Sequence, residues 1–297
     1  MSTTGLFVTA SLIWGSTWLA ITFQLGEVAP EVSVVYRFVL AAVVLAAWCR
    51  VTGRSLRFAA ADHVGIGAQG VLLFGVNYVA IYRAEQYVAS GLVAVLFSTM
   101  VFMNMVASRC FFGTPLTARG LAGATLGVGG VALLFLPELA AAEYGSAAAL
   151  GIAFALGSAL LSTLGNMLAV RNQRAGIPVL TGIAWGMAYG AAAAGLAAAA
   201  QGVPWTLDLR PAYVGALVYL ALLGSIVAFG AYLTLVHRVG AGPAAYTGVA
   251  TPVFAMLLST LFEGYRWSWV AGAGVLLAVA GNVLVLRPAA KARIGRA

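Results

Sequence analysis

Few side chains in this sequence are of the types that do acid–base or nucleophilic work. There are two histidines, His63 and His237, and two cysteines, Cys49 and Cys110. Neither pair has the spacing of a metal-ligand set or of a nucleophile with its base. No lysine follows a glycine-rich phosphate loop. The chain therefore reads as a non-enzyme, with no cofactor and no metal expected.

What stands out instead are polar and aromatic residues set within long apolar runs. Trp14 and Trp18 are four apart and share a helix face, with Thr17 beside them. Tyr78 and Tyr82 share a face in the same way, next to Asn77. Ser98, Thr99 and Asn104 follow in a fourth run. Ser158, Ser162 and Asn166 form one stripe, with Thr163 at its side, and Trp185, Tyr232, Tyr246 and Thr251 complete the set. Such groups are costly against lipid, so they are expected to face inward. Inside a bundle they have two destinations, a helix–helix hydrogen bond or a wet path. The serine stripe serves packing as well as it serves a path, and the aromatic rings fill a core as well as they line one. An aromatic-walled path with few charges suits amino acids and other small amphipathic solutes better than sugars or bare ions.

Arg37 is the one charge well inside a run. Three roles fit it: snorkelling outward, pairing with Glu27 or Glu31, or attracting a substrate carboxylate. The cores of the runs hold no Asp or Glu apart from Glu31 at one edge, which argues against a carboxylate proton relay. Facilitated movement is the simpler reading. Pro252 removes one backbone bond inside its run. Together with Gly91 and Gly242 it marks the expected gating positions.

The elements that hold these residues follow from composition. Of 297 residues 62% are hydrophobic and 8% are charged, against about 25% charged in soluble domains. Mean hydropathy is +0.99. A soluble domain and a disordered chain are both excluded. The runs do not alternate, so they are helices rather than barrel strands. Ten can be counted, at 5–25, 31–49, 64–83, 88–108, 119–136, 147–170, 178–199, 212–235, 242–262 and 268–287. The expected fold is an all-α membrane protein of ten transmembrane helices. The first run lacks a basic leader and a cleavage site, and is expected to stay as the first helix.

The net charge of +8 is explained by topology rather than by nucleic acid. With the N-terminus in the cytoplasm, 12 of the 16 basic residues fall on the cytoplasmic side. Only Arg83, Arg210 and Arg266 fall outside, while seven of the eight acids do. Both termini are then cytoplasmic. Trp48, Trp205, Trp267 and Trp269 sit where interfacial anchors would.

The sequence also repeats itself. Phe74-Gly75 and Arg83 match Phe229-Gly230 and Arg238 at identical spacing, and Phe102 pairs with Phe254, Gly123 with Gly274, and Gly130 with Gly281. A five-helix half has an odd number of crossings, so its copy enters the membrane upside down. Inverted repeats of this kind are a feature of many secondary transporters. The expected units are residues 1–141 and 142–297.

Trp14-Gly15-Ser16-Thr17, Arg37-Phe38 and the stretch from Leu261-Phe262-Glu263-Gly264 through Gly274 to Gly281 carry a further signal. With ten runs in two halves, they resemble the drug/metabolite transporter superfamily, specifically the EamA-type exporters, among them the YddG-type aromatic amino-acid exporters. The resemblance covers nearly the whole chain. It implies export of amino acids or other small metabolites across a bacterial inner membrane, by a monomer or weak homodimer in contact with membrane lipid. It also implies a central cavity built mainly from helices 1, 3, 4, 6, 8 and 9. A facilitative channel and a carrier for drugs or nucleotide sugars are the alternatives. In one respect the chain departs from the family pattern: Phe112-Gly113-Thr114-Pro115 lacks the acid that usually follows this glycine.

Overall fold

A backbone inside lipid must satisfy its own polar groups, and this chain does so with helices. The computed structural model describes residues 1–140, 145–239, 244 and 246–286. Among these there is no strand. We label the helices α1 (Thr3–Thr22), α2 (Pro30–Val51), α3 (Ala60–Glu85), α4 (Ser90–Phe112), α5 (Ala118–Ala140), α6 (Gly145–Arg174), α7 (Val179–Ala200), α8 (211–239), α9 (Thr247–Phe262) and α10 (Trp269–Leu286). Eight are long and apolar enough to cross a membrane, and Ala118–Leu134 and Thr247–Phe262 are shorter apolar helices. Each apolar run of the sequence falls on one of them. Pro30 and Pro211 are first residues of α2 and α8, where the missing N–H has no helical partner to lose. Gly113 ends α4 with a φ of +71°, a conformation that favours glycine.

Large apolar side chains stand exposed along the outside of the bundle, among them Val43, Leu160, Leu196 and Leu276. In water such a surface would aggregate; it fits the hydrocarbon of a bilayer.

The connections gather at two ends of opposite charge. At one, Tyr82 meets Gln24, Arg83 meets Glu31, Ser90 meets Glu263, and Thr206 meets the Glu27 carbonyl. We call this the acidic end. In its α7–α8 connection Arg210 donates hydrogen bonds to the Asp208 carboxylate and holds it below the usual carboxylate range. At the opposite, basic end, Arg238 reaches the Met1 carbonyl and Arg174 covers the Phe112 ring.

The packing is paired. α1 lies against α8 and α9, just as α6 lies against α3 and α4; α2 crosses α7, and α5 crosses α10. Exchanging the first five helices with the last five reproduces the pattern. The α5–α10 contact shows this residue by residue. A Cβ at Gly123 would lie 2.7 Å from the Gly281 carbonyl oxygen, and one at Gly130 would lie 2.6 Å from that of Gly274. The two helices therefore run antiparallel. Replacing each glycine by its repeat partner turns one contact into the other.

Three helices depart from regular α geometry. α3 has a π segment at Val71–Val76, and α8 has one at Tyr219–Val227. α4 breaks at Ser98 and Thr99, whose hydroxyls bond the carbonyls of Val95 and Leu96 at 2.6 Å. Those hydroxyls compete with the next backbone amides for the same acceptors.

A side chain at Gly281 has no room, because its Cβ would come within 2.5 Å of backbone atoms of both Gly123 and Gly127. Gly129, on the same helix as that pair, faces open space. Gly281→Leu is expected to cost about 1–3 kcal/mol through overpacking, and Gly129→Leu almost nothing. Thermal unfolding of the two variants in one detergent checks this; equal melting temperatures would refute the close contact.

Candidate solute path

The polar and aromatic residues singled out in the sequence divide into four groups. The first joins α1 to α8. The Trp14 indole donates to the Gly224 carbonyl at 3.2 Å, within the π segment of α8. Its ring packs on Phe229 and Tyr232 with centroids 5.2 Å away in each case. Thr17 bonds the Trp14 carbonyl at 2.7 Å, and its methyl group fills the space that a Cβ on Gly224 would take. Gly15 lets α1 touch α9, since its Cβ would lie 2.6 Å from that of Phe254.

The second group lies toward the acidic end. Trp18 packs on Phe97 at 5.3 Å. The Tyr82 hydroxyl, fully buried, donates to Gln24 Oε1 at 2.6 Å. Arg37 is 1% exposed, so it does not snorkel. Its guanidinium lies over the Tyr78 ring at 4.5 Å and reaches Ser225 Oγ at 3.5 Å, while Nη1 has no hydrogen-bond partner. It does not pair with Glu31, whose Oε1 takes Arg83 Nη2 at 2.8 Å. No carboxylate among the described residues forms an ion pair with Arg37. Asn77 donates to the Leu73 carbonyl, and its own oxygen is buried without a partner.

The third group joins α6 to α4. The Asn166 amide faces Asn104 Oδ1 at 3.4 Å and the Met100 sulfur at 3.6 Å. Ser158 and Thr163 bond carbonyls of their own helix, as Ser98 and Thr99 do, whereas Ser162 Oγ is buried without a partner. On α9, Thr251 bonds the Thr247 carbonyl and Pro252 is buried mid-helix. Tyr246 is the half-buried residue before that helix. Gly242 lies outside the described residues.

Trp185 stands apart. Its indole donates to the Leu56 carbonyl at 2.9 Å, and its ring packs on His63 and Tyr189. It holds the α2–α3 connection at the basic end and is not brought to the other aromatics.

Two groups were not evident from the sequence. Glu85 is 8% exposed and neither carboxylate oxygen has a hydrogen-bond partner, although a loop position was expected there. It stands within electrostatic reach of Arg37. The available signal was its place three residues after Tyr82, which continues the Tyr78–Tyr82 face. Ser225, the partner of Arg37, has no such signal.

The bundle is sealed unevenly along its length. Every residue of α4 from Ser90 to Leu96 is buried, whereas from Met100 to Phe112 only Phe102 and Ala107 are. At the acidic end Glu263 accepts both the Ser90 amide and its hydroxyl, at 3.2 and 2.5 Å. Gly91 lies flat against α9, where a Cβ would sit 2.8 Å from that of Ser259. α4 is therefore tightly packed toward the acidic end and more exposed toward the basic end.

An all-helical bundle whose first and last five helices pack by the same exchangeable pattern, with polar groups between them, is an arrangement found among membrane transporters. The EamA-like transporter family model matches residues 1–136 and again 149–287. The chain belongs to that family. It is 30% identical over 282 residues to the uncharacterized inner membrane transporter YedA of Escherichia coli strain K12, covering 90% of this chain and 86% of YedA. It is 28% identical over 135 residues to protein PagO of Salmonella typhimurium, and the match spans under half of either chain, 45% of this one and 44% of PagO. One solved crystal structure superposes with a TM-score of 0.66 at 20% identity, over 95% of this chain and 96% of that one, a likeness of fold alone.

Gly91→Leu is expected to part α4 from α9 at the acidic end. With Cys49 and Cys110 replaced by alanine, a reporter at Ser98→Cys should then react with an impermeant maleimide supplied on that side roughly tenfold faster, the equivalent of about 1–3 kcal/mol of overpacking. An unchanged labelling rate would place the seal elsewhere.

Proposed function

We propose that the protein is a secondary transporter of the bacterial inner membrane. In this reading it exports small organic metabolites, foremost neutral and aromatic amino acids, by alternating access. The chain crosses ten times, residues 1–141 and 142–297 enter in opposite senses, and both termini are cytoplasmic, as the Lys and Arg distribution supports. The acidic end then faces outward, and the buried Ser90–Leu96 stretch with its Glu263 contact supports closure on that side.

Arg37 is the observation that carries the substrate reading. A buried guanidinium that makes no direct ion pair costs several kcal/mol. A solute carboxylate would supply both the charge and the acceptor that Nη1 lacks. Glu85, buried with neither carboxylate oxygen hydrogen-bonded, offers the complementary site for an ammonium group. The rings of Trp14, Trp18 and Tyr78 offer apolar area to the remainder of the solute. A facilitative channel is the second reading, favoured by the scarcity of carboxylates in the span cores.

Proteoliposomes test both. Counterflow of phenylalanine should be stimulated by phenylalanine on the opposite side; flux indifferent to the trans solute would favour the channel. Arg37→Gln should lower phenylalanine flux by about 10- to 100-fold, the worth of a charge-assisted hydrogen bond, and that of phenylalanine methyl ester much less. Equal loss for both would remove the carboxylate role.

A further inference from the structure

A second polar site lies on the outside of the bundle, away from the path. A cavity of about 470 Å³ opens between α3, α6 and the acidic-end termini of α2 and α7. Glu31, Arg83 and Gln201 line its top together with Tyr87, Leu150 and Phe154, which stand level with the α3–α4 connection, and Val76, Val79 and Ala80 line its lower part. Val76 and Leu150 are exposed on the lipid-facing surface, so the cavity opens sideways into the membrane. Seven residues of α3 separate Val76 from Arg83, a depth of about 10 Å at the helical rise. The cavity thus runs from the interface into hydrocarbon, polar above and apolar below. That is the outline of one amphiphile lying along α3.

The charged groups narrow the choice of amphiphile. Glu31 is 2% exposed; one oxygen takes Arg83, and Oε2 is buried without any partner. It needs an N–H donor. The Arg83 side chain is 31% exposed at the cavity and, beyond its bond to Glu31, still has N–H groups to offer an anion. The pair is neutral as it stands. A zwitterionic headgroup carrying a primary ammonium and a phosphate meets both needs and keeps the site neutral. A quaternary ammonium has no N–H to donate. An anionic headgroup would add unbalanced negative charge beside Glu31.

We propose that this cavity is a binding site for a phospholipid with a primary-ammonium headgroup, drawn from the leaflet at the acidic end. Its ammonium bonds Glu31 Oε2, its phosphate bonds Arg83, and one acyl chain lies on Val76 and Val79. The site is separate from the solute path and does not depend on which solute is carried.

Delipidated protein in detergent, titrated with lipids of identical acyl chains and followed by native mass spectrometry and thermal unfolding, tests this. Phosphatidylethanolamine is expected to bind roughly tenfold more tightly than phosphatidylcholine or phosphatidylglycerol and to raise the melting temperature. Glu31→Gln should abolish that preference. Val76→Trp fills the apolar part and leaves the charges in place; it should weaken phosphatidylethanolamine binding even if Glu31→Gln does not fold. Equal binding of phosphatidylethanolamine and phosphatidylcholine would overturn the proposal. So would full competition by glycerophosphoethanolamine at equal concentration, because the ligand would then be a soluble headgroup compound.

Discussion

Helix–helix distance is the constraint on which the rest of this molecule depends. Lipid tails are as apolar as leucine, so helices in a bilayer gain little by hiding apolar surface from their surroundings. They associate through close packing and internal hydrogen bonds. Glycines supply the closeness here: Gly123 and Gly130 of α5 on Gly281 and Gly274 of α10, Gly70 of α3 on the backbone of Gly186, Gly15 of α1 on Phe254, and Gly91 of α4 on Ser259. The first contact joins two like helices of opposite direction. The last two set the width of the space between the halves. A methyl group at any of these positions would move a helix axis, and with it the walls of the path.

Close backbones leave little room for side chains, so the polar groups that remain are costly and informative. Most are satisfied within their own helix, as Ser98, Thr99, Ser158 and Thr163 are. The exceptions include Arg37 Nη1, Glu85, Gln24 Nε2 and Asn77 Oδ1, with Ser11, Ser162, Thr247, Ser259 and Asn282 elsewhere in the bundle. Each costs on the order of 1–3 kcal/mol or more while it stays buried and unpaired. Among them Arg37 and Glu85 stand within electrostatic reach of each other, where a solute's charged groups would complete the protein's own.

Much of the fold was legible because lipid writes long, simple signals. Bilayer thickness sets the length of an apolar run, and prolines such as Pro30 and Pro211 mark where runs begin. The site was legible only in part. Residue type shows that Trp14 should face inward, but not that its indole meets Gly224, because that depends on the register between helices about 210 positions apart. Trp185 illustrates the converse: an indole bonded to a loop carbonyl looks, in sequence, like one lining a path. Glu85 was missed because its charge, so close to Arg83, reads as the end of the span. In the structure α3 continues through it, and the shorter run 64–83 stops just before it.

The π segments were invisible for a different reason: neither Val71–Val76 nor Tyr219–Val227 contains a proline. Their position makes sense of the pairing between halves. Each lies in the third helix of its half, next to a helix of the other half that must fit closely. Val71–Val76 holds Gly75, which meets Gly190 of α7; Tyr219–Val227 holds Gly224, which meets α1 and receives the Trp14 bond. A π turn widens the helix and shifts every residue beyond it around the axis. In α8 that shift accompanies Ser225 facing Arg37 and Phe229 facing Trp14. In α3 it precedes Asn77, Tyr78 and Tyr82 directly. A regular helix would aim these side chains elsewhere. The same departure from regularity, made once in each half, thus orients both walls of the polar region, and it does so beside glycine contacts where either helix can turn with little steric cost.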